Sequence, residues 1–390
     1  MGGLPRQGNA DAGGDGRGGL MALAFVPAPV AELPWKLLWV VLALGGIGVV
    51  ALYSVADGDF SRYALTHCIR FAVFLCLALF LSYFRPQTFH DYAFLGYAGG
   101  MLLLVAVLII GTVGGGARSW LELGFIRIQP SEVMKPILVL CLARFYAHVP
   151  PREIRKFSAI WPVGAILAPP ILLILLQPDL GTTMLIVLST ISLMFLAGLP
   201  LRLFLGGGAL VAAAIPAVYW FLLLPHQRER VLIFLDPEQD PLGAGYHLSQ
   251  SKIAIGSGGL TGRGLLNGTQ ASGDFLPEPH TDFIFSAIAE EWGLIGGLVI
   301  ILLLFLLLHW GMRVAQAAKD RFDRLAAAGL TLTIFFYVAI NLMMIMGLAP
   351  VVGIPLPLIS YGGSAMLTCM ICLGMLMSID RVTRRDARRR

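Results

Sequence analysis

Charge is scarce in this chain of 390 residues, because only 13% of them are Asp, Glu, Lys or Arg. A soluble protein carries about 25% charged residues, whereas 57% of this chain is apolar and its mean hydropathy is +0.80. Such a composition cannot cover a water-exposed surface, so it excludes a soluble enzyme, and it excludes nucleic-acid binding as a main task. One bilayer-spanning helix needs about 20 apolar residues, and the length therefore suggests about ten spans.

Cysteine is also rare, and all five cysteines fall in long apolar runs, which excludes a disulfide between the connecting segments. Cys369 and Cys372 have the spacing of metal ligands. They stand in an apolar helix without His or acidic neighbours, so two small hydrophobic residues is the favoured interpretation.

The long apolar runs predict an all-α polytopic membrane protein with ten transmembrane helices and both termini on one side. With cytoplasmic termini, eighteen of the 28 Lys and Arg residues lie inside, seven lie outside and three lie within spans. The positive-inside rule therefore predicts cytoplasmic termini and a multi-pass protein of the cytoplasmic membrane. The predicted spans are 36–54, 64–84, 92–113, 133–148, 159–177, 181–198, 203–224, 283–309, 327–347 and 358–379.

The membrane domain is expected at 35–380, between two terminal regions. Residues 1–34 are rich in Gly, Ala and Pro and predict a disordered leader without a credible signal peptide, and either Met1 or Met21 could be the start. Residues 381–390 are rich in Arg and predict a basic cytoplasmic tail close to anionic lipid headgroups.

Two connections on the predicted outer side are long, 114–135 and 225–282, and long loops in a compact protein are usually functional or disordered. The second contains five glycines between 256 and 264, whose amides could bind an anion. Tight turns at the membrane surface are the commoner use of such glycines. Four cations favour an anionic ligand such as a diphosphate, unless they pair with acidic residues of the same loop: Arg228, Arg230, Lys252 and Arg263.

Asp282 ends this loop and has two interpretations that are compatible with each other. It can cap the next membrane helix, or it can act as a base at the membrane surface, where partial desolvation would raise its pKa. Asp274 and Glu278 could assist it or hold a metal, although loop carboxylates are more often simply solvated. His280 could be a ligand or a base, but it is more often a packing residue in such a setting.

Two further features stand at membrane depth. Glu132 and Lys135, three residues apart at the start of a span, predict a buried structural ion pair. The sequence GLAPVVGIPLPLISYGGS at 347–364 predicts irregular backbone, which is tolerated in a membrane only where protein or a polar cavity covers it.

Together these segments resemble the shape, elongation, division and sporulation (SEDS) family of polytopic membrane proteins. The resemblance extends over about 36–380, and GIPLPL at 353–358 and Gly268–Gln270 lean towards its elongation members, the RodA type, rather than the FtsW type of division members. It is carried, in the family's order, by QPSEVMK at 129–135, QPDLGT at 177–182, QSKIAIGSGG at 250–259, HTDFIF at 280–285 and GIPLPLISYGGS at 353–364.

The resemblance implies roles for individual residues. Asp282 matches the family's catalytic carboxylate, and Asp274 falls where many members carry Glu, which implies an auxiliary role. Glu132 and Lys135 match a buried ion pair, whereas Arg127 and Arg230 match basic positions near the outer cavity. The family usually has Arg directly before the Trp of the first outer loop. Here Ser119 precedes Trp120 and the Arg stands one position earlier, as Arg118.

The implied activity is that of a peptidoglycan glycosyltransferase that polymerises lipid II during cell elongation. The donor is an undecaprenyl-diphosphate-linked glycan, the nucleophile is a sugar 4-hydroxyl, and the anomeric carbon is inverted. Asp282 would be the general base, with positive charge from Lys252, Arg263, Arg230 or Arg127 at the diphosphate. A divalent cation, Mg²⁺ or Mn²⁺, could take part, although no ligand spacing demands it.

The implied partner is a single-span class B penicillin-binding protein, the transpeptidase that crosslinks new strands. Two other functions remain open, a transporter that flips lipid II and a non-catalytic scaffold for the transpeptidase. A transporter should place its polar residues near the membrane midplane. This chain places most of its outer carboxylates and cations at the predicted outer surface, which favours the enzyme.

Overall fold

The computed structural model describes residues 32–114, 117–123, 126–150, 152–221, 228, 244–272 and 278–388. Most of the predicted leader, much of the predicted loop 225–282 and the last two residues of the predicted tail lie outside these ranges. Arg230 and Asp274 are among the residues outside them.

The described chain is mainly helical, which confirms the predicted class of polytopic α-helical membrane protein. Two shorter helices, α8 (Ala244–Ser257) and α9 (Thr269–Ser272), lie within the predicted long loop. Eight helices are long and apolar enough to cross a membrane, namely α1 (Trp35–Val55), α2 (Ala64–Ser82), α3 (Pro86–Ile110), α6 (Leu180–Ala197), α7 (Leu201–Phe221), α10 (Ile284–Ala317), α11 (Arg321–Ile345) and α12 (Gly363–Arg388).

Two more helices fall on predicted spans but differ from the other eight. Helix α4 (Pro130–His148) has three charged residues, Glu132, Lys135 and Arg144, spread through its 19 residues. Helix α5 (Trp161–Leu175) has only 15 residues, fewer than the 20 or so that usually cross the hydrocarbon. A 3₁₀ turn at Phe157–Ala159 precedes α5. The count of ten spans therefore stays a prediction.

A small antiparallel sheet, which the all-α prediction did not contain, follows α3. Its order is β1 (Thr112–Gly114), β2 (Ala117–Leu123) and β3 (Ile126–Ile128). Strand β2 pairs with both neighbours, and its Glu122 stands opposite Arg127 of β3, with the carboxylate 3.5 Å from the guanidinium. The predicted span 92–113 therefore ends early, because α3 stops at Ile110 and the chain becomes extended.

The last helix also departs from the predicted boundaries. Prolines 355 and 357 keep the chain irregular up to residue 362, so α12 begins five residues after the predicted start of its span. It then continues to Arg388 and includes most of the predicted basic tail. The tail is tied to the rest of the chain, because Arg385 lies 2.7 Å from the Glu32 carboxylate and Arg381 is buried.

The core is formed by the last helices. Helix α12 packs along α2, and α11 packs against α4, α6 and α10. Most of the apolar part of α11 and of α12 is buried, whereas no residue of α7 is buried against the described chain. Chain connections 56–63, 176–179, 278–283 and 346–362 meet at one end of this bundle, which we call the Asp282 end.

A buried polar network joins α4, α11 and α12. The Lys135 ammonium lies 2.6 Å from the Glu132 carboxylate, and their side chains are 2% and 7% exposed. Tyr337 of α11 donates to Glu132 and accepts from Lys135 at 2.5 Å, and Thr368 of α12 donates to Glu132 at 2.8 Å. Each charge thus has several partners, which offsets the cost of removing it from water.

Helix α10 is broken at Gly293, whose φ of 67° and ψ of −164° are not helical. In an unbroken helix the amides of Leu294 and Ile295 would donate to the carbonyl oxygens of Glu290 and Glu291. They donate instead to the chain at 259–260, at 2.9 and 3.2 Å, and the two Glu carbonyl oxygens accept from the amides at 263–264, at 3.1 and 2.9 Å. The loop therefore replaces the two hydrogen bonds that the break removes.

Glycines make this exchange possible. A Cβ atom at Gly258 would lie 2.0 Å from the carbonyl oxygen of Ala289, and one at Gly262 would lie 2.0 Å from that of Glu291. Backbone therefore packs directly on backbone. This favours the interpretation of these glycines as tight turns over their use as an anion site, because the amides at 263–264 already have carbonyl partners.

Replacing Glu132 by Gln should strongly destabilise the protein, because the Lys135 charge would lose its carboxylate partner inside the bundle. Breaking a buried pair in this way costs about 3–5 kcal/mol. The matched control is Glu153→Gln, since Glu153 pairs with Lys156 at the same spacing of three residues but on the surface, where such a pair contributes about 0–1 kcal/mol. The measurement is the thermal unfolding midpoint in detergent, and equal shifts in the two variants would contradict the prediction.

Replacing Gly258 by Ala should lower the unfolding midpoint, because the added methyl group must separate the loop from α10. Overpacking of this kind costs about 1–3 kcal/mol. The control is Gly256→Ala, two residues earlier, where a Cβ atom meets nothing within 4 Å and Ala favours the helical backbone. A Gly258→Ala protein as stable as the Gly256→Ala protein would show that the loop does not pack on α10 as described.

Candidate functional site

The segment that carries Asp282 lies against the irregular segment 346–362. Asp282 is half-buried and directly precedes Phe283, the N-cap residue of α10. A Cβ atom at Gly353, where φ is +72°, would lie 3.5 Å from Asp282 Oδ2. The side-chain amide of Asn341 donates to the main-chain oxygens of Asp282 at 2.9 Å and Ile354 at 2.7 Å. The structure therefore brings two of the motifs together around this carboxylate.

Aromatic rings cover the residue two positions before Asp282. His280 stacks on Tyr63 with ring centroids 4.2 Å apart, and Tyr361 packs edge-on against Tyr63 at 5.2 Å. The Tyr361 amide donates to the His280 carbonyl oxygen at 2.8 Å. Burial lowers the pKa of the His280 imidazole, although the nearby Glu278 carboxylate raises it. These contacts favour a packing role for His280.

Two arginines stand beside this aromatic group, and neither was among the candidate site residues. The Arg70 guanidinium lies 5.0 Å from the centre of the Tyr361 ring, and that of Arg62 lies 5.2 Å from the centre of the Tyr63 ring. Arg70 was counted only as one of three cations within spans. Because a charge inside a span is costly and usually functional, that position was itself a signal.

Two further sequence motifs, QPSEVMK and QPDLGT, lie at the same end of the bundle. Gln129 donates to the Asp179 carboxylate at 2.9 Å, and Ser364 lies 3.5 Å from the Gln129 side-chain oxygen. Asp179 also caps α6 by accepting from the Thr182 amide at 2.9 Å. The segments QPSEVMK, QPDLGT and SYGGS, far apart in sequence, thus form one polar cluster where the segment 346–362 joins α12.

Lys252 lies on α8 at the first turn of the segment 346–362. A Cβ atom at Gly347 would be 2.6 Å from Lys252 Cε, so the lysine stem packs directly over this glycine. Helix α8 is fixed there by Ser251, which contacts Ser286 of α10 at 2.7 Å and donates to the Ile345 carbonyl oxygen at 2.9 Å. Lys252 is exposed. Of the predicted diphosphate ligands in the described residues, it is the one that lies at the segment 346–362.

Arg263 faces a different partner. Its guanidinium lies 3.5 Å from the buried Glu290 carboxylate and donates to Thr269 at 2.6 Å. Thr269 donates to the same carboxylate through its amide and its hydroxyl, both at 2.9 Å. Arg263 therefore helps to hold the loop on α10, and its predicted contact with a diphosphate stays a prediction.

The predicted cations of the first outer segment lie on the small sheet. Arg127 packs over Trp120, with 4.8 Å from guanidinium to ring centre, and pairs with Glu122. Arg118 lies in β2, where its backbone pairs with that of Val113 in β1, but its side chain lies outside what the structure describes. Asp274 and Arg230 also lie outside the described residues, so their predicted roles stay predictions.

A divalent cation needs several oxygen, nitrogen or sulfur ligands held close together. Within the described residues, no group of three His, Cys, Asp or Glu side chains could hold a metal ion. Asp282 and Glu278 lie in this part of the chain, whereas Asp274 does not. A divalent cation therefore stays a prediction.

Comparison with known proteins identifies the family. The family model for FtsW, RodA and SpoVE, described as cell cycle protein, matches residues 35–385. The peptidoglycan glycosyltransferase MrdB of Escherichia coli strain K12 is 43% identical over 344 residues, which are 88% of this chain and 92% of that protein.

Solved structures agree with this assignment. One chain from a study of polymerization and crosslinking by a peptidoglycan synthase complex has a TM-score of 0.78 and 33% identity, covering 91% of this chain and 99% of that chain. The Thermus thermophilus rod shape determining protein RodA has a TM-score of 0.67 and 30% identity, covering 90% and 97%. The chain therefore belongs to the FtsW, RodA and SpoVE family of cell cycle proteins, the SEDS family that its motifs predicted.

Proposed function

We propose that this chain polymerises lipid II into glycan strands and that Asp282 is its general base. The chain is a peptidoglycan glycosyltransferase of the RodA type, which fits a role in cell elongation and shape. The observation that supports Asp282 most is its placement, because its backbone and the facing Gly353 segment are held by one buried amide at the Asp282 end of the bundle.

The reaction needs a base and positive charge. The acceptor sugar 4-oxygen forms a bond to the donor anomeric carbon as the bond from that carbon to the diphosphate oxygen breaks. The hydroxyl proton passes to the Asp282 carboxylate, and the electron pair leaves with the diphosphate. Attack from the side opposite the leaving group inverts the anomeric carbon.

Cations at the Asp282 end are the proposed partners of the diphosphate. Lys252 lies over Gly347, and Arg70 and Arg62 lie beside the rings that pack on His280. Arg127, Arg230 and Arg118 remain proposals for the same role from the family resemblance. Such preorganised charge stabilises a leaving group as negative charge develops on it.

A divalent cation, Mg²⁺ or Mn²⁺, would add positive charge at the same diphosphate. If one takes part, Asp274 and Glu278 are the carboxylates proposed to bind it. Magnesium is usually held by one or two carboxylates together with substrate phosphates, and such a site does not need a cluster of protein ligands.

The proposed location is the cytoplasmic membrane, with the Asp282 end on the extracytoplasmic face. Connections at the opposite end of the bundle carry many of the basic residues, among them Arg85, Arg152, Arg155, Lys156 and Lys319. The positive-inside rule assigns that end to the cytoplasm. Lipid II would then be met at the outer leaflet.

The proposed partner is a class B penicillin-binding protein, a transpeptidase with one membrane span. Support comes from the structural match to a chain of a peptidoglycan synthase complex. The exposed apolar faces of the bundle contact membrane lipids, and a single-span partner would bind within that lipid-facing surface.

Replacing Asp282 by Asn should slow polymerisation of purified lipid II severely without unfolding the protein. Losing a general base typically costs 10²- to 10⁴-fold in rate, so roughly that loss is expected. The main-chain contact to Asn341 does not depend on the carboxylate, and therefore the fold should persist. Initial rates of lipid II consumption, with the unfolding midpoint measured beside them, provide the test.

Asp59→Asn is the matched control for this substitution. Asp59 is an exposed carboxylate at the same end of the bundle, and hydrogen bonds from Ser61 lower its pKa and keep it ionised. This control should polymerise at the wild-type rate. If the Asp282→Asn protein also polymerised at the wild-type rate, Asp282 would not be the base. If the wild-type protein moved lipid II across vesicle membranes without making strands, the chain would be a transporter.

The partner proposal predicts a stable complex with the class B penicillin-binding protein of the same organism. Co-expressed proteins should copurify, and the complex should form glycan strands faster than the isolated chain. A variant that keeps only the partner's membrane span should still copurify, since binding within the membrane surface is expected. Separation of the two full-length proteins during purification in mild detergent would overturn this proposal.

A further inference from the structure

Asn341 is a buried polar residue in the apolar helix α11. Its exposed fraction is 0%. Its side-chain nitrogen donates to the Asp282 carbonyl oxygen at 2.9 Å and to the Ile354 carbonyl oxygen at 2.7 Å. Within the described residues, its side-chain oxygen has no hydrogen-bond partner.

The identity of the amide atoms follows from these partners. Main-chain carbonyl oxygens only accept, so the Nδ2 group with its two hydrogens must face them. Ser and Thr carry one hydroxyl hydrogen, and an ionised Asp carries none. Asn is thus suited to bind two acceptors at once in a buried space without adding a charge.

The two acceptors belong to the two segments that meet at the Asp282 carboxylate. One acceptor is the carbonyl oxygen of Asp282 itself. The other is that of Ile354, which follows Gly353. Gly353 has a φ of +72° and no side chain, so the space next to Asp282 Oδ2 stays open. The Asn341 side chain thereby fixes the distance between the segment that carries Asp282 and the segment at 353–354 that faces its carboxylate.

We propose that Asn341 is a positioning residue that holds the Asp282 carboxylate in its reacting geometry through the main chain. This inference rests on the proposed function of Asp282 as the base. Asn341 itself is not proposed to contact the substrate. Its role is to keep the segment at 282 and the segment at 353–354 in a fixed relation while the acceptor hydroxyl is deprotonated.

The first test is Asn341→Leu, which keeps a similar volume and removes both donors. We expect kcat for lipid II polymerisation to fall about 10- to 100-fold, the range that a displacement near 1 Å can cause. KM should stay close to wild type, because the substrate-binding side chains remain. The control is Thr333→Val on the same helix, which removes a buried hydroxyl bonded only within α11.

The second test is Asn341→Asp, whose activity should depend on pH. In its neutral form the introduced carboxyl group can donate one hydrogen bond, whereas in its ionised form it would repel both carbonyl oxygens. The ratio of its kcat to the wild-type kcat should therefore rise as pH is lowered through the pKa of that group. The Asn341→Leu ratio should not rise in this way, since Leu has nothing to titrate.

The third test separates this inference from the assignment of Asp282. In an Asp282→Asn background, Asn341→Leu should lower the remaining activity far less than it does in the wild-type background, because the group that it positions is gone. Two results would overturn the positioning role alone. One is a wild-type kcat in Asn341→Leu. The other is that Asn341→Leu and Thr333→Val lose equal amounts of kcat and of unfolding midpoint. Wild-type activity in Asp282→Asn would overturn the proposed base and the positioning role with it.

Discussion

The main constraint on this structure is that hydrocarbon offers no partner to a main-chain amide or carbonyl group. Regular helices satisfy the constraint by themselves, and most of the chain is built from them. Among the described residues, three segments near the candidate site do not, namely the break at Gly293, the segment 346–362 and the residues before α10. Each obtains hydrogen bonds from elsewhere in the protein. The loop at 259–264 serves the break, Asn341 serves the other two, and Ser360 accepts from the Leu356 amide at 2.9 Å.

This constraint also determines how the candidate site is held. Irregular backbone, with φ of +72° at Gly353, lets the segment 346–362 face the Asp282 carboxylate without a side chain between them. The hydrogen bonds that make the irregular backbone tolerable are the same ones that fix its geometry. Positioning therefore acts on the main chain of Asp282, and a substitution of its carboxylate need not disturb the fold.

The sequence predicted the helical membrane class because a span must be long and apolar, and both properties are visible in a single run of residues. Boundaries were less predictable. The strands near 112–128 are short and interrupted by glycine, and α12 continues through Arg residues that looked like a separate tail. The distant motifs were linked to one another only by the family resemblance, because no pattern in the residues indicates that they meet in space. Asn341 was missed because one amide in an apolar run gives no indication of which carbonyl groups it meets.

Within the described part of the Asp282 end, several other carboxylates serve in contacts that hold the structure together. Glu290 accepts from Thr269 and lies near Arg263, Glu291 accepts from Ser54 at 2.5 Å, and both are buried under the loop. Glu122 pairs with Arg127 on the sheet, Asp179 caps α6, and Asp59 is bonded to Ser61. Glu278 is largely exposed beside His280. A base must be partly desolvated yet reachable by a hydroxyl group. We propose Asp282 for this role because its carboxylate is half-buried and faces Gly353, which has no side chain.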